Sequence, residues 1–319
     1  MRRARLKVKD GCYHIVSRIN GKRFLIDDKE KSELLSAIRA AADFSGVEVF
    51  TYAMMTNHFH LLVRVPKKRE VNDNELCRRV RSLYGDDRAE KVFKKWDNWE
   101  FFGLFAKVND EKARLRARMY DLSQFCKTFK ETYTQGYNKR TGNTGTIWEG
   151  RFKSNLVEPS ARALLAVAAY IHLNPVRANM ADTPDAAKWT GFGDAVAGDV
   201  AAKLGLIALI TLIDQANQGP AKWSHVRGVF NHIHLGRMAV DGREQPASTK
   251  GAGSAAANQL KPLLMRRTSD FLNGAALGSP AFLRRVALML PERRNRKPPG
   301  VFDDRPALGL SSALGVRGA

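Results

Sequence analysis

Cysteine is scarce in this chain. Cys12, Cys77 and Cys126 are spread through 319 residues with no CxxC pair, which excludes a disulfide framework and a typical cysteine-rich zinc site. Inert, partly buried thiols are the expectation. Long apolar runs are missing too. The best, Ala161 to Ile171, falls well short of the roughly 20 residues of a membrane span. The opening Met1-Arg2-Arg3-Ala4-Arg5 has the charge of a signal peptide, but no apolar stretch follows, so a cytoplasmic location is expected. No GxxxxGK[ST] phosphate loop occurs, so no nucleotide cofactor is expected. Acidic residues are in deficit: 32 Asp plus Glu against 53 Lys plus Arg, a formal charge of +21. Such an excess points to a polyanionic partner, because cations gain free energy by displacing counterions from phosphates. No basic amphipathic helix with Trp or Phe on its apolar face suggests a membrane surface, so nucleic acid is the expected partner.

What is present reads as alternating strands and helices over the first two hundred residues. Cys12 to Ile19 is a strand pattern, and Asp28 to Ala42 is helical, with Leu34, Leu35, Ile38 and Ala42 at helix spacing. Val47 to Met55 and His58 to Val65 are strands joined at Thr56-Asn57. Residues 67–118 are charged and helical, an insertion carrying Trp96, Trp99, Phe101 and Phe102. Met119 to Tyr137 is amphipathic, with Leu122, Phe125, Phe129 and Tyr133 in one stripe, and Thr146 to Val157 is a strand. Ser160 is a candidate cap for a helix that Asn174-Pro175 should stop near Leu173.

The order β-α-β-β-α-β predicts an α+β fold, a ferredoxin-like split βαβ core with an antiparallel sheet. The expected domains are 1–196 as that core, 197–246 as a helical extension, and 247–319 as a linker and basic C-terminal segment. Ala247 to Asn258 reads as linker, Arg266-Arg267, Arg284-Arg285 and Arg293 to Lys297 as basic clusters, and disorder is expected from Pro298 on.

The segment Asn57 to Val65 carries the most chemistry. Strand side chains alternate, so Phe59, Leu61, Val63 and Val65 share the core face while His58 and His60 project together from the other. Two imidazoles so placed can share a divalent metal. His232 and His234 have the same spacing without the flanking apolar alternation, and are expected to be a decoy or surface pair, not the metal site. Tyr133 continues an apolar stripe, where an aromatic is usually core, and Tyr120 and Tyr137 are alternatives to it for any chemical role.

Five segments, in order, resemble the single-tyrosine HUH transposases: Tyr13 to Arg18, Met55 to Val63, Tyr133 to Asn138, Ile147 to Ser154, and Tyr170 to Ala178. Within that group the resemblance is to the REP-associated tyrosine transposases and small insertion-sequence transposases, and Phe271 to Phe282 resembles a C-terminal motif of longer members. The resemblance implies that His58 and His60 bind Mg²⁺ or Mn²⁺, that Tyr133 attacks a phosphodiester to leave a 5′-phosphotyrosine, and that Asn138 assists the metal. It implies nicking and rejoining of single-stranded DNA at hairpin or REP-like repeats, and is compatible with a homodimer. Arg18, Arg64, Arg151 and Lys153 are candidate phosphate contacts, and Trp148 a candidate base-stacking surface. Two rivals stay open: a catalytically silent nucleic-acid-binding protein of the same fold, and a zinc hydrolase at the two histidines. The second lacks HExxH or further clustered ligands near residue 58.

Overall fold

The β-branched and aromatic run Gly11–Arg18 forms β1 and pairs antiparallel with β3, His58–Val65, which in turn pairs antiparallel with β2, Glu48–Met54. The fourth strand, Lys153–Val157, lies antiparallel on the other side of β1. The computed structural model describes residues 6–22, 26–214, 219–240, 274–288 and 311–314. The linker Ala247 to Asn258 and the basic clusters at 266–267 and 293–297 lie outside them.

Between β1 and β2 runs α1, Asp28–Ser45, capped by Asp27, whose carboxylate accepts from the Glu30 N–H, and closed by Gly46 in the left-handed region at φ 68°. Between β3 and β4 runs α5, Leu122–Thr141, capped by Asp121. Both pack on one face of the sheet: the Phe59 and Phe129 rings meet at 5.6 Å, and α1 lies against α5. Strand order β2-β3-β1-β4 with these crossovers is the ferredoxin-like arrangement within an α+β fold.

The opposite face is covered by α6, Ala161–Arg177, capped by Ser160, which accepts from Ala163 N–H. Here the structure corrects the sequence reading: α6 does not stop before Asn174-Pro175 but runs through it to Arg177. Pro175 leaves the Ile171 carbonyl without its helical N–H partner, yet less than one turn of helix follows it. The Asn174 amide also turns back and donates to the Tyr170 carbonyl at 2.9 Å.

Residues 67–118 hold three helices, α2 (Asp73–Tyr84), α3 (Asp86–Phe101) and α4 (Phe105–Ala117), around a separate small core of Leu76, Val80, Trp96, Val108 and Leu115. After α6 come α7 (Gly191–Val196), α8 (Val200–Ile213) and α9 (Trp223–Val240). A fifth strand, Gly274–Gly278, pairs parallel with β4, and α10, Pro280–Leu288, follows it. Ser311–Leu314 forms β6 on the edge of β5, where the Gly/Pro-rich composition suggested disorder; a bare strand edge offers the backbone partners it needs.

Candidate active site at the histidine face of the sheet

The antiparallel register decides which side chains meet. Arg18 lies across from His58, Val16 from His60 and His14 from Leu62, and paired residues share a face. On β4, Lys153 stands opposite Val16 and Asn155 opposite His14. His14, Arg18, His58, His60, Lys153 and Asn155 therefore form a polar strip on the face that α6 covers.

His58 and His60 have ring centroids 5.0 Å apart. Burial, with Arg18 adding to it, pushes the His58 imidazole down to about 4, and burial holds His60 well below the usual histidine range. Both are therefore neutral at pH 7, as metal ligation requires. Each Nδ1 is already engaged. His58 Nδ1 lies 2.7 Å from the Asn57 Oδ1, an acceptor, and His60 Nδ1 lies 3.0 Å from His14 Nε2. The Nε2 atoms are the ones left to ligate. Two oriented neutral imidazoles fit a divalent ion whose other ligands are an amide, water or a phosphate. Among the described residues no three His, Cys, Asp or Glu side chains gather into a closed cage, which disfavours a structural zinc site.

The tyrosine beside this pair is Tyr170. Its ring lies 5.6 Å from His60 and 5.8 Å from His14, edge-on to both. Burial raises its phenol to about 12, while Arg177, a hydrogen bond with the Asn174 side chain and Arg18 pull the other way. Arg177 sits over the ring at 5.7 Å. Tyr170, Asn174 and Arg177 fall at i, i+4 and i+7, one polar stripe on a mostly apolar helix. The stripe lies within Tyr170 to Ala178, one of the five family-like segments, in a stretch for which the resemblance gave no residue role.

Tyr133 is not brought to the histidines. It lies on α5, which packs on the opposite face, and its ring meets Trp148 at 5.8 Å and Tyr137 at 6.1 Å. Its hydroxyl is buried without a hydrogen-bond partner, and burial beside the Glu30 carboxylate raises its pKa beyond the usual phenol range. The apolar stripe that contains it is core packing. Asn138 is also elsewhere: its Nδ2 donates to Gly145 O at 2.8 Å and its Oδ1 accepts from Asn143, which ties down the 142–145 turn.

The remaining expected contacts divide. Arg18 faces the histidine pair, and its charge is felt by both imidazoles and the Tyr170 phenol. Lys153 is exposed on the same strip and Arg151 is exposed just before it. Arg64 is on that face but its guanidinium is held by Asp10 at 2.7 and 2.9 Å and reaches Glu48 at 3.3 Å, so its charge is neutralised within the protein. Trp148 is no stacking platform. It is 5% exposed, packs edge-on against Phe59 on the far face, and its Nε1 donates to Thr134. His234 is likewise not a surface residue: it is buried, with Nε2 3.1 Å from His172 Nδ1.

Comparison with known proteins bears on the first part of the chain. Residues 7–82 match the model of the family described as IS200-like transposase, a segment that spans β1 to β3 and includes His14, Arg18, His58 and His60. A solved structure described as "Structure of the REP associates tyrosine transposase bound to a REP hairpin" aligns with 15% identity and a TM-score of 0.41, covering 62% of this chain and 86% of that chain. No curated protein matches. No helix among the described residues is long and apolar enough to cross a membrane.

Proposed function

We propose that this chain is an IS200-like transposase that cuts and rejoins single-stranded DNA, with Tyr170 as nucleophile and His58 and His60 as the metal-binding pair. The observation that carries this reading is the convergence of two neutral, oriented imidazoles, a phenol and an arginine on one polar strip under α6. The charge of +21 supports a polyanionic substrate, and single-stranded or hairpin DNA is the substrate we infer.

Bound Mg²⁺ or Mn²⁺ would polarise the scissile phosphate and offset the negative charge of the transition state. His58 and His60 would hold it through Nε2, with the Asn174 amide as a further donor one turn beyond Tyr170. Tyr170 Oη attacks phosphorus, the P–O3′ bond breaks, and the leaving oxygen takes up a proton to become a free 3′-hydroxyl while the phenol proton passes to solvent. The product is a 5′-phosphotyrosine that stores the energy of the broken bond, so the reverse attack by a 3′-hydroxyl rejoins the strand without a nucleotide. Arg18 and Arg177 flank the phenol and lower the cost of its ionisation.

Tyr170 is only 4% exposed, so a phosphate cannot reach it in this conformation. Attack requires the last two turns of α6, Tyr170 to Arg177, to lift from the sheet. Pro175 weakens the helix there, since it has no N–H to give to the Ile171 carbonyl.

The test is a hairpin oligonucleotide incubated with Mn²⁺ and protein, read as a DNA-shifted band. Tyr170→Phe should bind DNA and give no adduct, whereas Tyr133→Phe should give the parental adduct. An adduct that survives Tyr170→Phe and maps to Tyr133 would overturn the assignment. Absence of an adduct on any tyrosine, with Mn²⁺ loading verified, would leave a silent DNA-binding protein.

A further inference from the structure

The histidine face holds a third imidazole, His14, which the alternation of β3 gives no hint of. It is fully buried on β1, and its ring lies 5.2 Å from that of His60, 14° from parallel. The 3.0 Å between His14 Nε2 and His60 Nδ1 is a hydrogen bond, so one nitrogen donates and the other accepts. Which one donates has a chemical consequence. A neutral imidazole carries one N–H. If His60 donates from Nδ1, its Nε2 keeps a lone pair and can ligate. If His14 donates, the His60 proton sits on Nε2 and closes that atom to a metal.

We propose that His14 is a positioning residue: it accepts the Nδ1–H of His60 and so holds His60 in the tautomer whose Nε2 is free to ligate. The inference rests on the metal-binding reading of His58 and His60 given above. His58 shows the same device in an unambiguous form, because the Asn57 Oδ1 beside its Nδ1 can only accept. His14 would do for His60 what that amide oxygen does for His58. Burial strengthens the case. His60 is 1% exposed, so its Nδ1 proton is sheltered from bulk water. To accept at Nε2, His14 must carry its own proton on Nδ1, and the buried Asn155, directly across on β4, brings an amide to the same face. Partners of this kind orient metal-binding histidines, and their loss typically weakens metal affinity about 10- to 100-fold.

The experiment uses the full chain with ¹⁵N-labelled histidine. Imidazole ¹⁵N shifts report the His60 tautomer without metal, and Mn²⁺ affinity is measured separately by electron paramagnetic resonance. His14→Phe keeps a ring to stack on His60 but removes the acceptor. His14→Gln restores an acceptor oxygen at similar reach. The expected result is a shift of His60 towards the Nε2–H form and about a 10- to 100-fold loss of Mn²⁺ affinity in His14→Phe, with both reversed in His14→Gln. An unchanged tautomer and parental affinity in His14→Phe would overturn the proposal. So would equal losses in both variants, which would make His14 a ligand or a packing residue. If the parent itself binds no Mn²⁺, the metal reading fails, and the tautomer shift still decides the role of His14. Should His14→Phe not fold, His14→Leu makes the same comparison.

Discussion

Tyr133 and Arg64 show how a residue of the right type can be spent on structure. The Tyr133 ring fills space between α5 and Trp148, but its hydroxyl is buried with no partner. Removing such a group removes a desolvation penalty of about 1–3 kcal/mol at most. Tyr133→Phe should therefore unfold in urea at the parental concentration or higher. A loss of more than about 1 kcal/mol would mean that the hydroxyl is bonded to Glu30 after all. For the arginines, a phosphate contact lowers the slope of log affinity against log salt by about one unit when lost. Arg18→Gln should do that. Arg64→Gln should leave the slope unchanged while releasing Asp10 and Glu48, since its charge is already matched inside the protein. The face of His58 and His60 was legible in sequence because strand alternation is a local property. The choice between Tyr133 and Tyr170 was not, because it depends on which face of the sheet each helix covers.

At the scale of elements, β1 to β3, α1 and α5 were readable from period and capping residues, and β3 matched its expected bounds of 58–65, whereas the strand expected from Thr146 to Val157 forms only over Lys153–Val157. The end of α6 was misread because a proline argues for a stop wherever it stands, while the side chain of Asn174 supplies a local bond that sequence rules do not weigh. For the second histidine pair only the surface placement of His234 was misread, and for a different reason. It lies on a helix, α9, where residues two apart differ by about 200° in direction, so His234 is buried while His232 is not. His234 joins a buried chain through His172 to Thr51, whose Oγ1 is 2.7 Å from His172 Nε2, tying α9 and α6 to β2. Burial pushes His234 down to about 3 and His172 well below its usual range. The unfolded chain gains protons at these histidines as pH falls through about 6.5, and the folded chain does not until far lower. Their contribution to stability is thus complete above that value and is lost as pH falls from about 6.5 towards 3. Each histidine contributes at most about 1.4 kcal/mol per pH unit in that window. His234→Gln keeps a hydrogen-bonding group that does not titrate. Urea midpoints at pH 7, 6 and 5 should fall less steeply for this variant than for the parent, and parallel slopes would show that His234 is already protonated in the fold.

For the whole molecule, the boundary near Ala247 does not separate the folded core from everything after it. Leu156 and Val157 of β4 pair with Ala276 and Leu277 of β5, and the Glu158 carboxylate accepts from the Ser279 N–H at 2.7 Å and the Ser279 hydroxyl at 2.9 Å. Leu277, Leu283 and Val286 are buried in the same core as the sheet. Composition favoured a detached segment here because Gly274 to Gly278, four small residues around the single Leu277, has no pattern of its own and takes its order from the edge of β4. Ending the chain at Pro246 should therefore lower stability, by lost burial of three apolar side chains at about 1.5–3 kcal/mol each as an upper bound. Ending it after Leu288 keeps those contacts and removes Arg293, Arg294, Arg296 and Lys297. That shorter cut also removes β6 from the edge of β5, so it should cost some stability but less than the 1–246 cut, and it should reduce the salt dependence of DNA binding, because fewer cations are available to displace counterions. Covalent trapping at saturating protein should persist in the longer product, since His58, His60 and Tyr170 are untouched. If the 1–246 and 1–288 chains prove equally stable, β5 is not part of the working fold. If the 1–288 chain is stable but can no longer be trapped, residues beyond it take part in the chemistry.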